Sequence, residues 1–462
     1  MRGSLDGIRK KFRSRSTKKT SDPLLGCRAQ GETPIMKRTF SVPGAAALLL
    51  VLCFSAVAHD GVSQPASEPV SLANRVDADL QKGDERDLDR LYQVADDPVS
   101  HVLAAMALER LHLNLDKSSE DAAVCEKVLR KTRPDIAFYC AFFASGNTRL
   151  AGRTQEADRM DVAAAQRFAG TYKAAELAKL AENAGTRAGQ PELRVGRPGH
   201  TLTLPLLRPA FGNGEPYIDA SANGKTVRLL LDTGAGSLLL DERTARDWGV
   251  HMADSGDEHV QGFFSKDIAV RRGWLDHLDL GGISMENVPV EVGAKGQKII
   301  GIDLLRWLGA IRIGKDLLTV YAGDDARPAC SEPMVVASPR YGNYLRVITT
   351  VPVDGAPQTA LLDTGFTGYL SGNAAVLEQY KDGLTGHAHF TDVSANEHNA
   401  GTKVATQNVV ISGQPIKMTF VVFTDANLPW GFVLGNLALQ DMDFYFDFDN
   451  RHTCLLLHDH LH

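Results

Sequence analysis

The sequence has no apolar run long enough to cross a bilayer. Its longest such stretch, residues 45–57, falls short of the ~20 residues a spanning helix needs. No integral membrane segment is therefore expected once the N-terminal leader is removed. There is no CxxC pair and no close Cys/His cluster, so the usual zinc frameworks are not expected. Basic residues are not in excess either: 50 Lys+Arg stand against 56 Asp+Glu, a formal net charge of -6. Residues 1–58 hold 11 of those bases and 3 of the acids, so the remainder carries 39 against 53, or -14. A chain this acidic repels polyanions, which argues against nucleic acid as substrate or partner.

What is present is enough chain for two or three domains: 462 residues, 44% of them apolar. Residues 1–35 are polar and basic and read as a mis-assigned upstream extension. A fresh start follows at Met36, with Lys37 and Arg38, the apolar stretch, and Ala56-Val57-Ala58 as a small-x-small cleavage site. Residues 36–58 thus read as a signal peptide, and the expected location is periplasmic or secreted, after export from a bacterial cytoplasm. Cys27 and Cys53 leave with that segment. In an oxidising compartment the other four cysteines could form two disulfides, Cys125 with Cys140 and Cys330 with Cys454, although the sequence leaves the connectivity open.

From 71 to 183 apolar residues recur every three or four positions, as in Val102, Leu103, Met106, Ala107, Leu111. This predicts an all-α domain of five to seven helices, broken near Pro98, Pro134 and Gly170. The stretch from Ala151 to Ala157 resembles the turn and helix start of a tetratricopeptide-like repeat, though no clean period is visible. Residues 184–200 turn to Gly, Pro and Arg and read as an exposed linker. Beyond it, short branched segments such as 201–207, 226–231, 288–292 and 311–321 predict an all-β region.

That region contains a duplication. Leu229-Leu230-Leu231-Asp232-Thr233-Gly234 is echoed by Leu361-Leu362-Asp363-Thr364-Gly365, with the aspartates 131 residues apart. Each copy follows a hairpin signal, Asn223-Gly224 and Asp354-Gly355. Each then reaches two apolar residues and a glycine, Ile299-Ile300-Gly301 and Val433-Leu434-Gly435, at 69 and 72 residues beyond its aspartate. A lone Asp-Thr-Gly is commonly just a turn, with Asp capping the backbone. Two in matched contexts are not.

Both copies resemble the lobe of retropepsin-like, pepsin-type aspartic peptidases, and the resemblance spans roughly 200–462. It implies a bilobal acid-peptidase fold, with lobe 1 at 201–328 and lobe 2 at 329–462, and one aspartate from each lobe at a shared cleft. Two close carboxyls sharing a proton can activate water and protonate a carbonyl without metal or cofactor, so none is expected. By the same resemblance Thr233 and Thr364 would bridge to the opposite loop, Gly234 and Gly365 would let amides reach the carboxylates, and Ile300-Gly301 and Leu434-Gly435 would support the loops. The covering hairpin, or flap, would fall near 256–272, with Gly262 and Phe263 at its tip, or near 386–401 in lobe 2. Neither stretch has the pepsin-type tyrosine. His387, His389 and His398 on the second stretch read as surface residues rather than metal ligands.

The expected function is therefore an aspartic endopeptidase that hydrolyses extended polypeptide with a water activated between Asp232 and Asp363. The helical domain could dock a protein partner. The competing expectation is a non-catalytic periplasmic binding or scaffold protein that retains the lobes; intact copies of both Asp-Thr-Gly motifs weigh against it.

Overall fold

A computed structural model describes residues 72–458, apart from 95–96, 188, 210–213, 254–257, 261, 263–267, 294–297, 324, 392–396 and 427. The expected upstream extension and signal peptide lie outside these residues. From 68 onward the chain forms one compact unit.

Among the described residues seven α-helices come first: Leu72–Lys82, Glu85–Val94, Pro98–Leu111, Leu115–Leu129, Pro134–Leu150, Thr154–Arg167 and Ala174–Thr186. Their boundaries follow local chemistry. Asp97 caps the third by accepting the Val99 and Ser100 amides, and Pro98 fills its first turn, where no amide donor is needed. Pro134 opens the fifth in the same way. Between the sixth and seventh, Gly170 takes a φ of +80°, which a side chain would oppose. The Cys125–Cys140 disulfide joins the fourth helix to the fifth.

The β region makes three sheets. A nine-stranded sheet belongs to lobe 1, and an eight-stranded one to lobe 2. Each contains the expected hairpin. Asn223 and Gly224 both have positive φ (48° and 70°), as do Asp354 and Gly355 (51° and 80°), the conformation that lets a two-residue turn match strand twist. The third sheet, of five strands, is shared, which the duplication alone did not reveal. Ala310–Ile313 of lobe 1 pairs antiparallel with Met442–Asp447 of lobe 2, flanked by Leu202–Pro205 and Leu317–Tyr321 on one side and His452–Leu457 on the other. The Cys330–Cys454 disulfide ties the start of lobe 2 to this last strand. One continuous apolar core runs through both lobes, from Leu231 and Ile300 to Leu362 and Leu434.

The helical region is not held by a linker alone. Leu193 and Val195, within the stretch expected to be exposed, pack on the β core, and Arg194–Val195 pairs with Ile283–Val292. The end of the fifth helix, joined by Arg110 of the third, grips both lobes. On lobe 1, Arg306 donates to the Leu150 carbonyl (2.6 Å) and Trp307 covers Gly152. On lobe 2, Arg110 donates to the Pro339 and Arg340 carbonyls (3.1 and 3.0 Å), and Arg149 to that of Tyr341 (2.8 Å). Gly146 has no room for a side chain, since a Cβ there would sit 2.1 Å from the Arg340 oxygen.

Arg149 also meets Asp158 (3.0 Å) and the fully buried Asp161 (2.7 Å), and lies 3.9 Å over the Tyr341 ring. Burial raises the Asp161 carboxyl, and Arg149 offsets that. Arg149→Leu should therefore destabilise the chain by about 3–5 kcal/mol at neutral pH, since it strands a buried carboxylate. The loss should shrink in acid, where Asp161 is neutral. Urea unfolding midpoints at pH 4 and pH 7.5 check this; an equal loss at both would mean the charge is not the cause.

Candidate active site

Each half of the site is a strand ending in aspartate with a second strand parallel to it. In lobe 1, Lys225–Asp232 pairs with Ile299–Gly301, placing Ile300 beside Leu231 and Gly301 beside Asp232. In lobe 2, Ala356–Asp363 pairs with Phe432–Gly435, placing Leu434 beside Leu362 and Gly435 beside Asp363. The Asp-Thr-Gly loop folds back over the glycine in both halves. A Cβ on Gly301 would lie 2.3 Å from the Gly236 oxygen, and one on Gly435 2.4 Å from the Gly368 oxygen. Ala235 accepts the Ile302 amide (3.0 Å) and Phe366 accepts that of Asn436 (3.0 Å), so each loop is tied to its supporting segment.

The two loops meet through their threonines. Thr233 N–H donates to Thr364 Oγ1 (3.1 Å), and Thr364 N–H to Thr233 Oγ1 (3.0 Å). Each hydroxyl in turn donates to the main chain just before the opposite aspartate, Thr233 to the Leu362 carbonyl (2.7 Å) and Thr364 to that of Leu231 (2.6 Å). All four bonds cross between lobes, and both threonines are fully buried. Glycine is needed next because the carboxyls fill the space. A Cβ at Gly234 would be 2.3 Å from the Asp363 carboxyl carbon, and one at Gly365 2.3 Å from that of Asp232.

Asp232 and Asp363 are thereby brought together, 7% and 8% exposed and hydrogen-bonded to each other. Asp232 Oδ1 accepts the Gly234 and Ala235 amides (2.8 and 2.9 Å), and Asp363 Oδ1 those of Gly365 and Phe366 (2.9 and 3.1 Å). These bonds favour the ionised form, but burial raises both carboxyls, and the adjacent Asp232 charge and hydrogen bond push Asp363 well above the usual range. The pair therefore retains a proton at pH values where an isolated aspartic acid would have lost it. Ser237, the nearest hydroxyl downstream of the first motif, is buried without a hydrogen-bond partner and does not reach the carboxylate.

The pair lies on the floor of a cleft of 1630 Å³ that both lobes and the helical region line. Val260 and Gly262 of the lobe 1 hairpin reach it, as do His389 and Glu397 of the lobe 2 hairpin Leu384–Thr391/Glu397–Ile411. Phe263 lies outside the described residues. Other charged residues also line it, among them Asp303, Glu215 and Arg346. Asp303, just after Gly301, is raised to about 6 by burial despite Arg306 and Arg346 nearby. Glu215 and Arg346 stand at the entry to the strand before each aspartate strand. A signal for these two was available: each precedes its aspartate by 17 residues.

Residues 218–305 match the family model described as aspartyl protease, a span that contains Asp232 and Gly301 and stops short of lobe 2. No curated protein matches the sequence. Among solved structures, the aspartic proteinase from Irpex lacteus is 14% identical, with a TM-score of 0.38, over 56% of this chain and 98% of its own. A retropepsin-like aspartic protease from Rickettsia conorii is 22% identical, with a TM-score of 0.21, over 28% of this chain and 91% of its own.

Replacing Thr233 by valine keeps the volume and removes the hydroxyl. The buried Thr364 amide and Leu362 carbonyl would each lose a partner, at about 1–3 kcal/mol apiece. Thr233→Val should accordingly lower the unfolding midpoint and disrupt the carboxyl pair, whereas Thr233→Ser should restore most of the stability. Equal thermal midpoints for the two variants would show that the cross-lobe bonds carry little.

Proposed function

We propose that this chain is an aspartic endopeptidase, with Asp232 and Asp363 as its catalytic pair and extended polypeptide as substrate. The observation that carries this reading is the contact of two buried carboxyls, one from each lobe, on the floor of an open cleft. The aspartyl protease match over the first half of the site supports it. Burial raises both carboxyls, so the pair holds one proton between them, and one serves as acid while the other serves as base. In the first step the ionised carboxyl takes a proton from water, whose oxygen attacks the scissile carbonyl, while the protonated one gives its proton to the carbonyl oxygen. In the second step the resulting diol collapses: one of its hydroxyls returns a proton to the carboxyl that gave one, and the proton taken from water passes to the leaving amine as the C–N bond breaks. An extended peptide suits the site because a cleft between sheets can take a strand by main-chain hydrogen bonds and sort alternate side chains.

The hairpins that reach the cleft from both lobes would exclude bulk water over such a peptide. The two disulfides suit an oxidising compartment, and we place the enzyme in the periplasm or outside the cell on that ground and on the leader sequence.

Incubation of the chain from residue 59 with unfolded casein across pH tests the reading. Either Asp232→Asn or Asp363→Asn should reduce cleavage by at least about a thousandfold, in keeping with loss of a catalytic group that acts as part of a unit. Cleavage that persists in either folded variant would sink the proposal. The pH profile tests the electrostatics. The reactive pair holds one proton, so raised values place the active range above that of an unperturbed carboxyl. Ala235→Ser would add a donor beside Asp232, favour its ionised form and move the profile toward acid. An unmoved profile would show that this position does not govern the pair.

A further inference from the structure

The two halves of the site share their hydrogen bonds but not their charge. Tyr217 stands opposite Leu230 and Ile348 opposite Leu361, in each case two residues before the aspartate. Stepping back two more residues along the first strand of each pair gives Glu215 in lobe 1 and Arg346 in lobe 2. They occupy equivalent places in the two lobes, both line the cleft and both are half-buried. Neither has an ion-pair partner among the described residues.

No ion pair holds either one, although the Arg346 charge opposes the rise that burial causes in Asp303, Asp232 and Asp363. Tyr217 OH donates to Glu215 Oε2 (3.3 Å). Arg346 Nη1 donates to the Leu345 carbonyl (2.7 Å), with its guanidinium 4.9 Å from the Tyr344 ring. The Leu345 amide donates to Asp303 Oδ1 across the lobes (3.2 Å), which fixes where Arg346 starts. Several other charged groups on the cleft wall are matched, while Glu192, Glu397 and Asp425 also line it without an ion pair among the described residues. Arg149 and Arg187 meet Asp158, Arg306 lies 3.6 Å from Asp303, and Arg272 sits opposite Glu291 on paired strands. A half-buried charge without a partner gains most from one that a ligand brings.

We infer that Glu215 and Arg346 are paired substrate-selecting residues, lobe 1 taking a basic side chain and lobe 2 an acidic one, at equal distances on opposite sides of the scissile bond. This rests on the peptidase reading and specifies its substrate. The equal distance follows from the internal two-fold relation, which exchanges the lobes and exchanges the two sides of the bond. A peptide has a direction and a two-fold site has none, so uncharged lobes would accept either orientation. The opposite charges select one.

A mixed peptide library cleaved by the chain from residue 59, with cut sites read by mass spectrometry, tests this. Lys or Arg should be enriched about tenfold at one position, and Asp or Glu similarly at the position equally far across the cut. Glu215→Gln should erase the first enrichment alone, and Arg346→Gln the second alone. In the double variant Glu215→Arg/Arg346→Glu the two should trade sides. A flat charge profile in the wild-type chain, or enrichments unchanged by the substitutions, would overturn the inference while leaving the peptidase reading intact. Retention of the same library on the Asp363→Asn chain reads the selection without turnover. If the folded wild-type chain cuts nothing but the Asp363→Asn chain retains peptides with this charge pattern, the peptidase reading fails and the charge selection stands. Thermal unfolding of each variant confirms that it is folded.

Discussion

Two carboxyls held in contact, out of water, are the constraint around which the β region is organised. Left to themselves they would repel and separate, or draw in solvent. Four cross-lobe hydrogen bonds from Thr233 and Thr364 keep the loops together. The amides after each aspartate point at its Oδ1, so one proton on the pair is enough to relieve the repulsion. The glycines are part of the same constraint. Contact is possible only because nothing projects from Gly234 or Gly365, and the loops seat only because Gly301 and Gly435 present bare backbone. The shared five-stranded sheet joins the lobes at a second place, away from the carboxyls, so the alignment of the lobes does not rest on those four bonds alone.

The helical region extends that alignment. One short segment, from Gly146 to Gly152, touches lobe 1 at Arg306 and Trp307 and lobe 2 at residues 340–342. The lobe 2 contact begins a run that continues through Tyr344 and Leu345 to Arg346 in the cleft. A displacement of the fifth helix would therefore be felt within a few residues of the carboxyl pair. The helices contribute to the cleft wall as well, through Arg149, Gly152 and Asp158. Any account of them as a module that only recruits a partner must also accommodate this contact.

What could be read from the sequence was whatever occurred twice or broke a helix. The aspartates, the threonines and the support glycines were visible because the duplication placed them in matched order, and Asn223-Gly224 and Asp354-Gly355 because few residues tolerate their φ values. The Cys125–Cys140 and Cys330–Cys454 pairings were expected, and the structure has both. The grip of the helices was not visible. Arg110 and Arg149 look in sequence like charges on a wet helix face; they are buried because main-chain carbonyls of a distant loop accept from them. Residues 184–200 have the composition of a free connection, yet a two-residue strand and the side chains of Leu193 and Val195 are enough to hold part of it on lobe 1. The shared sheet was hidden for a related reason: strand pairing across a duplication leaves no mark within either copy.

That sheet also imposes an order of events on a chain made from its N-terminus. Its strands come from residues 202–205, 310–321 and 442–457, so its second half is the last of the β region to leave the ribosome. Lobe 1 can collapse early, but it then holds a single carboxyl with the partner strands of its interface missing. Contacts between residues more than a hundred positions apart close slowly, because the loop between them must be gathered first. A chain that stops before residue 442 thus lacks the strands through which lobe 2 enters the shared sheet.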